Sequence, residues 1–313
     1  MLIGIDTSCY TTSLAILDDQ EGSIIHDYRR LLSVKLGQKG LRQSEAVFQH
    51  LQNLPQLIHG NYFEVPQNIT AVAASTAPRP LAGSYLPVFK AGAAFGETLA
   101  KLLGVPFIRT THQEGHIRVG LVGQHELFAQ TFLAWHISGG TTELLLVHPE
   151  KSGYIIEKIG GSSDLQIGQF VDRVGVALGE AFPAGPYLEK RALLSNTADS
   201  LPVVTSGLTV SFSGPDSAAR RLIASGVNGN EVARKVFNCI GKALLKVSSQ
   251  AVKEFKTLQI LMVGGVASNQ IIREYLKNEG LQNGIDFLFA RPELSSDNAV
   301  GVGLIGWDYI KML

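Results

Sequence analysis

Apolar residues in this chain fall in short runs that end in small polar turns. Leu2–Asp6 is followed by Thr7-Ser8-Cys9-Tyr10-Thr11-Thr12 and then by the run Ser13–Leu17, which predicts strand, turn and strand. The pattern returns at Thr131–Ile137, Ser138-Gly139-Gly140-Thr141-Thr142 and Glu143–His148. A third strand, Leu258–Val263, runs into Gly264-Gly265-Val266-Ala267-Ser268-Asn269. Apolar positions at helical spacing predict helices over Ser44–His59, with Pro55 as an irregularity, and over Val232–Phe255. Ala91–Leu103 predicts another helix, stopped by Gly104-Val105-Pro106, and Val300–Ile305 predicts a closing one. The small and polar residues of Asn196–Asn230 predict loops and short strands. Strands interleaved with helices predict an α/β fold. A hairpin met near residue 1 and again near residue 131 predicts duplication, with two similar halves facing across a ligand cleft.

Composition narrows the function classes. With 313 residues, 45% of them hydrophobic and 17% charged, the chain is long enough for one large core or two medium ones. Lys+Arg and Asp+Glu are equal at 27 each, so no net basic field points to a nucleic acid, although a local patch is compatible with that balance. Cys9 and Cys239 form no CxxC pair and are expected to be reduced thiols. Met1-Leu2-Ile3-Gly4-Ile5-Asp6 lacks the pattern of a signal peptide, and no apolar run approaches bilayer length. A soluble, cytoplasmic protein without membrane contact is expected.

Glycine turns between buried strands let a ligand approach the backbone, whose N–H groups then donate to phosphate oxygens. Plain hairpin chemistry is the competing reading of each turn. In His112-Gln113-Glu114-Gly115-His116 two imidazoles stand four positions apart, on one face of a helix or helix start and at a spacing that suits one divalent ion. Two surface histidines without metal would give the same spacing. Glu114 is third in the motif and not second, which departs from the HExxH of zinc proteases. Asp297, in Ser295-Ser296-Asp297-Asn298-Ala299, is the candidate third ligand, with a helix N-cap as its alternative role. Imidazole with carboxylate suits zinc or iron.

Taken in order, these segments resemble the tRNA threonylcarbamoyladenosine transferases, the TsaD-like family once called glycoproteases or O-sialoglycoprotein endopeptidases. Gly4-Ile5-Asp6-Thr7-Ser8-Cys9 is similar to the family's GIETSC, and Glu45 and His50 to positions of PELASRxH. His112 and His116 fall on HMEGH, Ser138-Gly139-Gly140 on SGGHT, and Ser211-Phe212-Ser213-Gly214 on SFSG. Gly168–Arg173 resembles GEAFDK, Pro183-Ala184-Gly185-Pro186 PGGP, Gly264–Asn269 GGVAAN, and Ser296–Ala299 TDNA. The resemblance covers nearly the whole chain. It implies an ASKHA (actin/Hsp70/sugar-kinase-like) duplicated fold, with residues 1–112 plus 298–313 forming one half and 113–297 the other. It also implies transfer of a threonylcarbamoyl group from threonylcarbamoyl-AMP to the exocyclic amine of the tRNA adenosine next to the anticodon. By the same resemblance His112, His116 and Asp297 would hold one divalent metal, iron or zinc. Ile137, Ser138, Gly139, Gly140 and Thr141 would contact the phosphate and threonyl end of the adenylate-type ligand. Asp172, Gly185 and Asn269 would fix its nucleoside. Implied partners are tRNA, a smaller homologous ASKHA protein and an adenylate-forming enzyme.

The chain departs from the pattern close to the chemistry. Tyr10, Thr11 and Thr12 follow Cys9 where the family has an acidic pair, and Thr141 stands where SGGHT has histidine. Gln169 replaces the glutamate of GEAFDK, and Ala77-Pro78-Arg79-Pro80 replaces a GPG loop. The lost carboxylates and histidine remove candidates for proton transfer. Binding is therefore expected to survive better than transfer, and a catalytically weakened paralogue acting as a nucleotide- and metal-binding regulatory partner is the alternative. A third reading is an ASKHA kinase-like ATP-binding protein in which Asp6 holds hydrated Mg²⁺, although HxxxH has no role there.

Overall fold

The computed structural model describes residues 1–8, 10–34, 40–58, 68–124, 127, 129–150 and 153–312. Its predicted hairpins seed two sheets of closely matched plan. In the first, β1 (Leu2–Thr7) pairs antiparallel with β2 (Thr11–Leu17), and β2 with β3 (Ile24–Leu31). On its other edge β1 pairs parallel with β4 (Ala71–Ala77), and β4 with β5 (Phe107–Thr111). In the second, β6 (Phe132–Ile137), β7 (Thr142–Glu150) and β8 (Gly153–Ser162) are the antiparallel trio. Strands β11 (Gln259–Val263) and β12 (Asp286–Phe289) add to β6 in parallel. Two short strands, β9 (Val204–Ser206) and β10 (Thr209–Ser211), extend the far edge beyond β8. The orders β3-β2-β1-β4-β5 and β8-β7-β6-β11-β12 therefore coincide in sequence and sense, as duplication requires.

Helices cover the sheets as expected of parallel connections. Helix α1 (Gln43–Asn53) ends in a 3-10 turn at Leu54–Gln56, so Pro55 closes the predicted helix early; the end of that prediction, at His59, lies outside the described residues. Helix α2 (Phe89–Leu103) stops at Gly104 in the left-handed conformation, as its sequence predicts. The site rests on α3 (His112–Gly120), α4 (Ile167–Ala177) and α5 (Gly185–Leu193). Next come α6 (Ser213–Ala224), the 27-residue α7 (Gly229–Phe255) and α8 (Gln270–Gln282). A single turn, α9 (Pro292–Ser295), precedes α10 (Val300–Met312). Strands β9 and β10 are the short strands expected within Asn196–Asn230, while helix α6 corrects that expectation over its own span. Its first turn is Ser-Gly-Pro-Asp, which reads as a breaker, yet proline is tolerated in a first turn where no N–H partner is needed.

Two apolar layers flank the first sheet, and the larger core joins α4, α5, α7 and α8 to the second, with Trp135, Phe170 and Phe212 fully buried. Helix α10 returns to the first sheet and crosses α3 at very short range. A Cβ on Gly301 would stand 1.9 Å from the carbonyl oxygen of Gly115, so α10 needs glycine at the crossing, and a Cβ on Gly115 would stand 3.1 Å from Val302 Cγ2. That crossing brings residues just before α10 to the start of α3. No helix among the described residues is long and apolar enough to cross a membrane.

Candidate functional site

Thr111 caps α3. Its hydroxyl accepts the Glu114 N–H, while the Glu114 carboxylate accepts the Thr111 N–H at 2.9 Å, a complete capping box. Glu114 also accepts the hydroxyls of Thr110 and Thr111, so its carboxylate is committed to the cap. The cap fixes the first turn, with His112 at its start and His116 one turn on. Both are largely buried: His116 is 3% exposed, which removes the reading of two surface histidines.

The imidazoles face each other and Asp297. Their Nε2 atoms are 3.1 Å apart, and Asp297 Oδ1 lies 3.4 Å from His116 Nε2 and 3.7 Å from His112 Nε2. The N–H at Val300 of α10 goes to Asn298 Oδ1, leaving the Asp297 side chain to the histidines and to the Ser8 hydroxyl, which donates to Oδ2 at 2.8 Å. His112 Nδ1 donates to the fully buried Asp6 at 3.1 Å, which leaves the Nε2 lone pair facing His116. Asp6 also accepts the Ser75 hydroxyl. With two Nε2 atoms and one carboxylate oxygen within 4.8 Å of one another, the donor set fits one divalent ion of borderline softness.

Electrostatics agree with this geometry. Burial alone would lower the His112 pKa, but the charge and hydrogen bond of Asp6, with Asp297 beyond, raise it to about 9. His116 is lowered by burial and by its His112 neighbour. Burial tends to raise the Asp297 carboxyl, yet its histidine partners and Ser8 outweigh that and hold it well below the usual carboxylate range.

His112 and Asp297 open onto a cleft of about 340 Å³, walled by Tyr10, Arg79, Phe89 and the Ser138–Thr141 turn, with His116 buried behind them. Gly139 also lines a second cavity of about 200 Å³, so the two spaces meet at that turn. Three helices start at the wall of the second cavity: α4 at Gly168, α5 at Gly185 and α8 just after Asn269. Helix N-termini carry unpaired N–H groups and partial positive charge, which suits phosphate. The start of α4 packs so closely on the turn that a Cβ on Gly168 would lie 2.5 Å from Gly139 Cα.

The other sequence candidates divide between lining and support. Ser138, Gly139, Gly140 and Thr141 form the turn, held by the Ser138 N–H to the Thr141 carbonyl at 2.9 Å. The Ile137 side chain is fully buried in the core, so only its backbone adjoins the turn. Asp172 and Gly185 line the second cavity, and Asp172 accepts the Ala184 N–H at 2.7 Å, propping the loop before α5. Burial raises the Asp172 carboxyl against those backbone bonds. Asn269 lines the cavity too, with Oδ1 accepting the Ile272 N–H at the start of α8. His50 ties α1 to the turn after β1: its Nε2 donates to the Ser8 carbonyl at 2.7 Å, and Nδ1 accepts from Thr12. Cys9 lies outside the described residues.

Residue-by-residue reading missed three contributors. Asp6 entered only as a magnesium ligand, Ser8 only as part of a motif, and His136 not at all. The signal for His136 is a lone histidine at the end of an apolar strand. It is 4% exposed, with its ring centre 4.8 Å from that of His116. Burial, and then its histidine neighbours, push its pKa well below 6.5.

Over 99% of its length the chain is 27% identical to a tRNA N6-adenosine threonylcarbamoyltransferase of Persephonella marina, covering 90% of that protein. It is 29% identical to the one of a Sulfurihydrogenibium species, covering 99% of this chain and 91% of that one. For Archaeoglobus fulgidus the figures are 28% identity, 97% and 90%. Among solved structures, a ROK family protein from Streptococcus pneumoniae in complex with sucrose superposes with a TM-score of 0.59 at 11% identity, covering 99% of both chains. Full-length HypF in its phosphate- and nucleotide-bound form gives 0.60 at 11% identity; 99% of this chain matches 46% of HypF, about half its length. These likenesses establish the ASKHA fold. The family model for tRNA N6-adenosine threonylcarbamoyltransferase (TsaD) matches residues 35–304, and the chain belongs to that family.

Proposed function

We propose that this chain transfers a threonylcarbamoyl group from threonylcarbamoyl-AMP to the tRNA adenosine next to the anticodon. The observation that carries this reading is the junction at Gly139 between the His112–His116–Asp297 cluster and the cavity ringed by three helix starts. In this proposal Gly168, Gly185 and Asn269 sit against the adenylate, and the turn at Ser138–Thr141 receives the phosphate. His112, His116 and Asp297 hold a divalent iron or zinc ion. When bound, that ion supplies positive charge to oxygens of the acyl group as charge develops there. Asp6 keeps His112 in the tautomer that presents Nε2, and Ser8 orients Asp297. The amine nitrogen bonds to the carbamoyl carbon, the carbon–oxygen bond to phosphate breaks, AMP leaves with the electron pair, and the amine proton passes to the leaving phosphate or to water. The smaller homologous ASKHA protein and the adenylate-forming enzyme are partners in this reading, and tRNA enters from the open side of the larger cleft.

One observation favours the reading of a regulatory partner with weakened turnover. Each described carboxylate near the cluster is already engaged. Asp6 holds His112 and Ser75, and Glu143 takes Gln113 Nε2 at 2.9 Å and Arg79 at 2.8 Å. Thr11 and Thr12 are buried, with Thr12 bound to His50. The kinase reading loses support, because a fully buried Asp6 engaged by two side chains has no room for a hydrated ion.

The test is incubation of metal-loaded protein with threonylcarbamoyl-adenylate and unmodified tRNA, with and without the smaller homologue, followed by nucleoside mass spectrometry. Threonylcarbamoyladenosine that disappears with His112→Ala plus His116→Ala is the expected result. Absence of product alongside metal-dependent binding of the adenylate would replace transfer by the regulatory reading.

A further inference from the structure

His136 closes the row of β6 side chains that faces α3. Phe132 and Ala134, the two before it, pack with Ile117 of that helix and Leu121 just past its end, while Leu133, Trp135 and Ile137 enter the opposite core. Its cross-strand neighbours are Glu143 on β7 and Val263 on β11. Among the described residues neither ring nitrogen has a hydrogen-bond partner, although the residue is 4% exposed. Buried polar groups almost always find partners, so an imidazole with both nitrogens free signals something that completes it. Glu143 is not that partner, since Gln113, Arg79 and Lys158 surround its carboxylate.

The ring instead lies beside the metal-binding cluster and lines the same cleft. Its centre is 4.8 Å from the ring centre of His116 and 6.4 Å from that of His112, against 4.5 Å between those two. With a metal–nitrogen distance of about 2.0–2.1 Å and a ring centre about 1.1 Å beyond the nitrogen, two imidazoles on one ion have centres roughly 4.5–5.2 Å apart at ordinary ligand angles and about 6.4 Å when they stand opposite each other. The separation from His116 fits an ordinary angle, and that from His112 fits the opposed one. The His136 nitrogens stand outside the tight triangle of the other three donors, so a bound ion would require the ring to turn toward them.

We propose that His136 is a third imidazole ligand, giving a centre of three histidines and Asp297. The inference rests on the metal-centre reading above and adds a donor from the second sheet to those on α3 and before α10. The ion would then tie a strand of the second sheet to α3 and to the segment before α10. Four protein donors would close a tetrahedral ion to substrate, whereas a five- or six-coordinate ion keeps positions open.

The experiment uses full-length metal-free protein titrated with Co²⁺, read by visible d–d absorption, with X-ray absorption counting imidazoles on the loaded protein. The proposal expects three imidazoles in the wild type. It also expects His136→Leu to weaken Co²⁺ binding at least tenfold and to change the d–d spectrum. Two imidazoles in the wild type, or an unchanged affinity and spectrum in His136→Leu, overturn it while leaving the His112–His116–Asp297 centre standing. If the wild type binds no Co²⁺, or His112→Ala binds it equally well, the metal-centre reading fails and takes this inference with it. The wild-type count decides the matter even where a variant does not fold.

Discussion

Asp6 and His112 show how one buried pair sets the chemistry of a metal site. The carboxylate holds the Nδ1 proton, presents Nε2 to the cluster and raises the His112 pKa to about 9 in the metal-free protein. Below that pH a proton competes with the metal. Metal affinity should therefore rise close to tenfold per pH unit from 7 to 9 and level off above, as measured by competition with a chelator. Asp6→Asn should flatten that slope; at about pH 10, where the proton competes little, it should lower affinity by about 10- to 100-fold. A wild-type affinity flat between pH 7 and 9 would contradict the pairing. At this scale the sequence showed the two histidines, because four positions on one chain need no tertiary knowledge. Asp6, Ser8 and His136 join them across contacts of more than a hundred positions or from another sheet, which spacing along one chain does not reveal.

At the scale of elements, the crossing of α3 over α10 is the support on which the centre is built. Gly301→Ala would force a methyl into the Gly115 carbonyl, and overpacking of this kind costs about 1–3 kcal/mol. Chemical denaturation should show that loss together with weaker metal binding, because Asp297 precedes α10. Gly140→Ala is the control: nothing lies within 4 Å of its added methyl, so stability should be almost unchanged. Equal stability of Gly301→Ala and wild type would show that the helices cross differently. Helices α2, α7 and α10 were readable because each carries its own spacing of apolar residues or its own stop. Helix α6 was hidden by a first turn of breakers, and its helicity comes from packing on α4 and α7.

The whole molecule repeats one five-strand plan twice, and the site lies where the first turns of the two copies approach each other. That much was legible, since a strand–turn–strand motif written twice needs only short apolar runs bounded by a polar turn to be seen. The lengths of the sheets were not: short strands were expected within Asn196–Asn230, but the pairing of the three-residue β9 and β10 is decided by neighbours. Burial also governs reactivity. Cys239, in the larger core, has its thiol pushed up to about 12, chiefly by burial. It should resist alkylation at pH 8 in native protein and react once denatured, as peptide mass spectrometry of that cysteine would show. Rapid native labelling would mean that the core around α7 is open.

The central claim is that the metal cluster and the nucleotide cavity form one site meeting at Gly139. Isothermal titration of metal-free and metal-loaded protein with threonylcarbamoyl-adenylate and, separately, with AMP tests it most directly. The account predicts that the metal raises affinity for the acyl-adenylate at least tenfold and changes that for AMP far less, because only the acyl end reaches His112, His116 and Asp297. Equal effects on both ligands, or none on either, would contradict it and separate the metal from the chemistry of the cleft.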